Sequence, residues 1–162
     1  MRISVTEEEA QHYLDQFFVT YPGVQRYMAE TERFADTHNF VYTYFGRRRR
    51  FPFALYSRSD RERVHRQAVN ARIQSTSSDI VMSCLMRVNN YLRSRNDGSC
   101  VLLTVHDSIL FQAPHGAHTE LKPVLDRLIV DATREQCPWL PVKWAYDVGW
   151  GPNYGDTHGV VA

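Results

Sequence analysis

Cysteine is scarce. The chain of 162 residues holds three, Cys84, Cys100 and Cys137, and none forms a C-x-x-C pair. An odd count without ligand spacing excludes a disulfide framework or a zinc knuckle and fits a reducing compartment. No leader-like segment and no long apolar run is present, so no membrane partner is implied and a cytoplasmic location is expected. Neither sign of charge prevails: the formal net charge is +1 at pH 7, and bulk charge names no partner. Repeats, low-complexity tracts and a clear interdomain linker are also missing. What remains is globular composition, 43% hydrophobic and 12% aromatic, enough for a core in one ordinary domain or part of a larger one.

The distribution of charge says more than its sum. Nine arginines fall between Arg47 and Arg72, opposed there only by Asp60 and Glu62. Arginine is preferred where a planar fork meets phosphate or base edges, so a local basic patch suggests an anionic partner at one place. Thr6 to Glu9 has the spacing of a capping box, followed by Ala10, Tyr13, Leu14, Phe17 and Phe18 at helical spacing. Tyr21-Pro22-Gly23 breaks that helix, and Val24, Tyr27, Met28, Phe34 and Ala35 predict a second, ending near His38-Asn39. Core packing is the expectation for both aromatic stripes. Residues 40–45 are β-prone, and Gly46 turns the chain into Arg47-Arg48-Arg49-Arg50, with Pro52 closing the segment. A long helix is expected from near Ser59-Asp60 to about Leu92, with Val69, Ile73, Ile80, Cys84, Leu85, Val88 and Leu92 inward. Asn96-Asp97-Gly98 reads as a turn, Leu121 to Ile129 as a last helix, and Val142 to Val148 as a final strand before a glycine-loosened tail. The pattern is α+β, with helices packed on one face of a small antiparallel sheet.

Between the turn and the last helix, Val101 to Val105 and Ser108 to Phe111 are two β-prone runs separated by His106-Asp107, a hairpin signal. Favoured turn pairs are Asn-Gly or Asp-Gly, so His106-Asp107 is a poorer turn and a candidate for chemistry. Asp107 is also an ordinary turn residue. Its functional reading is a ligand for a divalent cation such as Mg²⁺, which takes one or two carboxylates plus substrate phosphates. Phosphoryl transfer with two ions needs a second carboxylate. Asp79 falls in the long helix and Asp147 in the last strand, and neither is a convincing candidate. On the long helix Arg66, Asn70 and Gln74 stand at i, i+4 and i+8, on one face. That stripe is either a solvated face or a row of donors for the minor-groove acceptors that every correct base pair presents. Arg47, Arg48 and Arg49 read either as a solvated loop or as phosphate contacts.

Thr43-Tyr44-Phe45-Gly46-Arg47-Arg48-Arg49 with Pro52 resembles the T-x-x-G-R-R-R-x-x-P segment of family A DNA polymerases. Arg66 to Gln74 resembles that family's R-x-A-x-N-x-x-x-Q helix, which Thr76 and Asp79 continue, and Val105-His106-Asp107 resembles its palm motif C. Glu9-Ala10, Phe17 and Tyr21-Pro22-Gly23-Val24 look like the helices after its finger helix, and Asp147-Val148-Gly149, Gly151 and Asn153 like its C-terminal ending. The resemblance is collinear over nearly the whole chain. It implies that Asp107 is one of two metal-binding palm aspartates and that His106 contacts the primer terminus. It implies that Arg66, Asn70 and Gln74 line the minor groove and that the Arg47 region approaches the template-primer backbone. Residues 1–58 would be the end of the fingers, helices plus an Arg-rich loop, and residues 59–162 a portion of the palm.

Departures matter as much. Ser108 stands where the family usually has Glu, and Ser75, Ser77 and Ser78 where Gly and Ala are usual. The family's motif A aspartate, its finger helix and its thumb have no counterpart here. The expectation is therefore a C-terminal polymerase subunit, of the kind a phage split polymerase would use in a bacterial or phage-infected host cell. A second polypeptide would carry motif A, the finger helix and the thumb. Primer-template DNA and dNTP would be its ligands, with two Mg²⁺ ions shared with the partner chain. Met1, just after where the finger helix would end, fits a separately encoded piece. Inactivity alone, and an exposed apolar surface stabilised by the partner, follow from that expectation. The alternative is a non-catalytic module that binds primer-template DNA. A metal phosphohydrolase is disfavoured, because His12, His38, His65 and His115 lack ligand spacing.

Overall fold

The computed structural model describes residues 5–51 and 57–160. They divide into two compact units, with the boundary between Ser77 and Ser78. Pro52 lies outside the described residues.

The first unit opens on helix α1 (Glu7–Thr20). Its capping box forms as the sequence predicts. The Glu9 amide donates to Thr6 Oγ1 at 3.2 Å, and the Thr6 amide donates to Glu9 Oε2 at 2.8 Å. Helix α2 (Pro22–His38) starts with proline at its first turn, where a missing N–H costs nothing, and stops at Asn39 with φ 58°. Strand β1 (Phe40–Tyr42) pairs antiparallel with β2 (Arg48–Arg50), placing Tyr42 opposite Arg48. The arginine run expected as a loop is therefore largely a strand. Helix α3 (Arg58–Ser94) begins slightly earlier than expected, because the Asp60 amide donates to Ser57 Oγ at 3.1 Å and makes Ser57 the cap.

The core of the first unit is Ala35, Val41, Phe51, Val64, Ala68 and Ala71. Two expectations fail here. Helix α1 has no buried residue; Tyr13 is 64% and Phe17 44% exposed, so its apolar stripe is not core, and of the α2 stripe only Ala35 is buried, Val24 and Phe34 being exposed. The buried side of α3 is also rotated. Small Ala68 and Ala71 face inward, whereas Ile73 is 58% exposed and Val69 only half-buried. Apolar size marked one face of the helix; close packing against α2 and β1 selected the neighbouring face of small residues. A polar clamp adds to this packing. Arg61 bonds both Asp36 oxygens at 3.2 and 2.8 Å through Nε and Nη2, and His65 Nε2 meets Asp36 Oδ1 at 2.8 Å. Burial pushes the Asp36 carboxyl up, but the Arg61 and His65 bonds outweigh it and hold it below the ordinary range.

In the second unit, β3 (Cys100–Val105) and β4 (Ser108–Gln112) form an antiparallel hairpin with an irregularity between Val101 and Leu103. Helix α4 (His118–Leu125) runs through a π-helical stretch (Asp126–Asp131) into α5 (Ala132–Gln136). Val88, Leu92, Leu121 and Leu125 make one buried cluster, with Val101, Phe111, Tyr146 and Trp150 against it. Ile80, Cys84 and Cys137 make another, with Ile109, Ile129, Leu140 and Trp144 against it.

The expected strand at 142–148 is a correction. Residues 142–147 are irregular, and the strand β5 (Val148–Asn153) starts where that run ends. The period-two pattern is real, since Trp144 and Tyr146 both point into apolar clusters. It belongs to an irregular segment lying on helices, with no ladder partner among the described residues. Tyr146 donates to Asp126 Oδ1 at 2.8 Å and anchors it. The glycine-rich tail is instead a hairpin, β5 with β6 (Asp156–Val160). Gly151 permits it: a Cβ there would lie 1.7 Å from the Asp156 carbonyl oxygen. The α+β class holds, but the described strands form three two-stranded antiparallel sheets rather than one small sheet.

Candidate nucleic-acid interface and metal-ligand position

Val105 pairs with Ser108, so His106 and Asp107 are the whole connection of the β3–β4 hairpin. His106 has φ 55°, a left-handed conformation that costs a non-glycine residue about 1–2 kcal/mol. The hairpin tolerates it because its inward residues, Val101, Ile109 and Phe111, are held in the two clusters of the second unit. Phe111 also meets Trp150 edge-on, ring centroids 5.6 Å apart. The effect is an exposed carboxylate on a braced tip. Among the described residues no three His, Cys, Asp or Glu side chains gather into a metal-holding group. Asp107 thus fits a share of a divalent-cation site, and the described residues do not fit a whole one.

Arg66, Asn70 and Gln74 share one face of α3, as their spacing requires, and all three are exposed. Arg66 and Asn70 line an open groove of ≈ 580 Å³, with Val24, Tyr27 and Met28 of α2 opposite and the exposed Ile73 at the rim. Tyr27 belongs to the groove through its bond to the Val69 carbonyl at 3.0 Å. Burial pushes its phenol up, which keeps it a donor. Arg72, which the sequence pattern did not single out, braces this wall. Its guanidinium lies 5.4 Å from the Tyr27 ring centre and 5.5 Å from that of Tyr44, and it donates to Thr31 Oγ1 at 3.1 Å. Two aromatic rings at these distances were invisible to spacing along one helix, since they come from other elements.

The arginine hairpin is anchored to α3. Gly46, at φ 80°, closes the turn by donating its amide to the Thr43 carbonyl at 3.0 Å. Buried Thr76 accepts from the Tyr44 amide at 3.1 Å and donates to the Arg72 carbonyl at 2.5 Å. Arg47 Nη2 donates to the Ser75 carbonyl at 3.2 Å. Arg48 and Arg49 are exposed; Arg48 sits 4.4 Å over the Phe40 ring and Arg49 5.7 Å over that of Phe51. Arg47, Arg48 and Arg49 thus share the unit that carries Arg66, Asn70 and Gln74, whereas His106 and Asp107 stand in the other. No helix among the described residues is long and apolar enough to cross a membrane.

Residues 1–156 match the family model described as DNA polymerase family A. The chain is 33% identical over 156 residues to DNA polymerase I of Deinococcus radiodurans, covering 96% of this chain and 16% of that protein. It is 31% identical over 155 residues to DNA polymerase I of Chloroflexus aurantiacus, again covering 96% of this chain and 16% of the relative. The chain therefore spans about one sixth of the length of these curated relatives. Among solved structures, it is similar to the POL domain of Pol1 from M. smegmatis in complex with DNA primer-template and dNTP. The TM-score is 0.74 at 28% identity, over 86% of this chain and 24% of that one.

Proposed function

Because this chain belongs to DNA polymerase family A, we propose that it is the C-terminal part of a DNA-directed DNA polymerase, working in templated nucleotidyl transfer on primer-template DNA with dNTP. Residues 1–58 would end the fingers and residues 59–162 would form part of the palm. The observation that carries this reading is the exposed Asp107 carboxylate on a hairpin tip braced by Val101, Ile109 and Phe111. Such a tip holds a metal ligand in a fixed place. His106 beside it would contact the primer terminus. Arg66, Asn70 and Gln74 would donate to purine N3 and pyrimidine O2, acceptors common to all correct pairs, and so sense pair geometry without reading sequence. Arg47, Arg48 and Arg49 would contact backbone phosphates.

Asp107 needs further donors. We assign them to a second polypeptide with the motif A carboxylate, the finger helix and the thumb, so that the site is shared between chains. When bound, Mg²⁺ would activate the attacking hydroxyl and neutralise charge on the phosphates. Ser108 offers a hydroxyl, not a carboxylate, beside that site.

Primer extension with and without such a partner tests the proposal. Extension is expected only with both chains, and Asp107→Ala is expected to abolish it while primer-template binding persists. Extension by this chain alone would refute the shared site. The second reading, a non-catalytic duplex-binding module, is favoured by the exposed Arg66–Asn70–Gln74 row alone. It predicts that Asp107→Ala changes nothing measurable.

A further inference from the structure

We propose that the first unit carries a stacking platform for single-stranded nucleic acid, built from Phe34, His38, Phe40 and Tyr42 with the Arg48 guanidinium. It deepens the polymerase reading, on which it rests for its ligand: the unpaired stretch of a template strand. The last turns of α2 bring Phe34 and His38 together at i, i+4, with ring centroids 4.1 Å apart and planes 15° apart. Phe40 meets Phe34 edge-on at 5.6 Å, and Tyr42 meets Phe40 at 5.0 Å.

These rings are not there to fill the core. Ala35 and Val41 are the buried residues of this region, and strand alternation turns Phe40 and Tyr42 to the side opposite Val41. Phe34 stays 36% and Tyr42 38% exposed, and His38 is exposed beside them. Arg48, paired with Tyr42 in register, sits over the Phe40 ring and donates to Tyr42 Oη at 2.9 Å. An aromatic row flanked by a fixed guanidinium suits bases, each of which has a π-face, and the phosphates that join them. The charge selects the occupant. Arg48, Arg49 and Arg50 are all exposed, and no acidic residue lies in β1, the turn or β2. An apolar protein segment seated here would have to desolvate these exposed guanidinium groups, whereas a polyanion pairs with them.

The full chain is titrated by fluorescence anisotropy against oligo(dT), oligo(rU) and a blunt DNA duplex. Tyr42→Leu and Phe34→Leu keep apolar volume but remove the ring. Each is expected to weaken oligo(dT) binding about tenfold while changing duplex affinity less than about twofold. Tyr42→Phe, which keeps the ring, is expected to bind oligo(dT) like the parent chain. A matching loss on oligo(rU) extends the platform to RNA; a loss on oligo(dT) alone assigns it to DNA. Unchanged oligo(dT) affinity in both leucine variants, equal losses on single strand and duplex, or no oligo(dT) binding by the parent chain would each overturn the platform. Failure of the platform leaves Asp107-dependent extension untouched. A chain that stacks oligo(dT) but supports no extension with its partner sinks the polymerase reading and keeps the platform.

Discussion

Thr76 offers the sharpest test of how the arginine hairpin is held. Its hydroxyl is buried, accepts from the Tyr44 amide at 3.1 Å and donates to the Arg72 carbonyl at 2.5 Å. Thr76→Val keeps the shape and removes both bonds. Each such bond is worth about 0.5–1.5 kcal/mol net, so the expected loss of anchoring from both is about 1–3 kcal/mol. Thr76→Ser keeps both bonds and loses one buried methyl, about 0.8 kcal/mol. Helix propensity barely separates the three residues, so it does not confound the comparison. The readout is amide hydrogen exchange at Tyr44 by NMR, which senses opening of this hairpin rather than of the whole chain. At about 1.4 kcal/mol per tenfold, exchange in the valine variant should speed up about 5- to 140-fold. Serine should fall between valine and the parent. Parental protection of Tyr44 in Thr76→Val, or serine exchanging faster than valine, would refute the assignment of Thr76 as the anchor.

Gly151→Ala is expected to destabilise the β5–β6 hairpin by about 1–3 kcal/mol, because its Cβ would sit 1.7 Å from the Asp156 carbonyl oxygen; chemical denaturation measures this, and parental stability would refute the close approach. A pH dependence is expected at Asp126, whose carboxyl the Lys122 and Tyr146 bonds hold below its ordinary value. Its folded pKa lies below its unfolded one, so this contribution is fully present above the ordinary carboxylate range and is lost as pH falls through the folded value. Lys122→Met should flatten that acid-side decline in an unfolding titration, and an unchanged acid limb would count against the pairing.

Local chemistry made much of this molecule readable in advance. Thr6 and Glu9 lie within one turn, so their capping box depends on no distant residue. The same holds for the Tyr21-Pro22 break, the span of α3 and the two-residue hairpin of Asp107. That Arg66, Asn70 and Gln74 share one face also followed from spacing, since helical period alone places them together. The failures share one cause. Which side of α3 is buried depends on what packs against it, and small Ala68 and Ala71 admit α2 and β1 more closely than Val69 and Ile73 would.

The same reasoning covers the other tertiary decisions. The α1 stripe is amphipathic by sequence, yet Tyr13 and Phe17 are exposed because no described element covers them. Residues 142–147 alternate like a strand but lie on helices, tied by Tyr146 to Asp126, while ladder pairing waits until Val148. The sequence by itself determined the helices, the Asp107 hairpin, the motifs and their order, because those rest on contacts a few residues apart. Only the tertiary structure decided that Arg72 stands between Tyr27 and Tyr44 and that Arg48 rests on an aromatic row. Those neighbours come from separate elements, and close packing, not periodicity, brings them together.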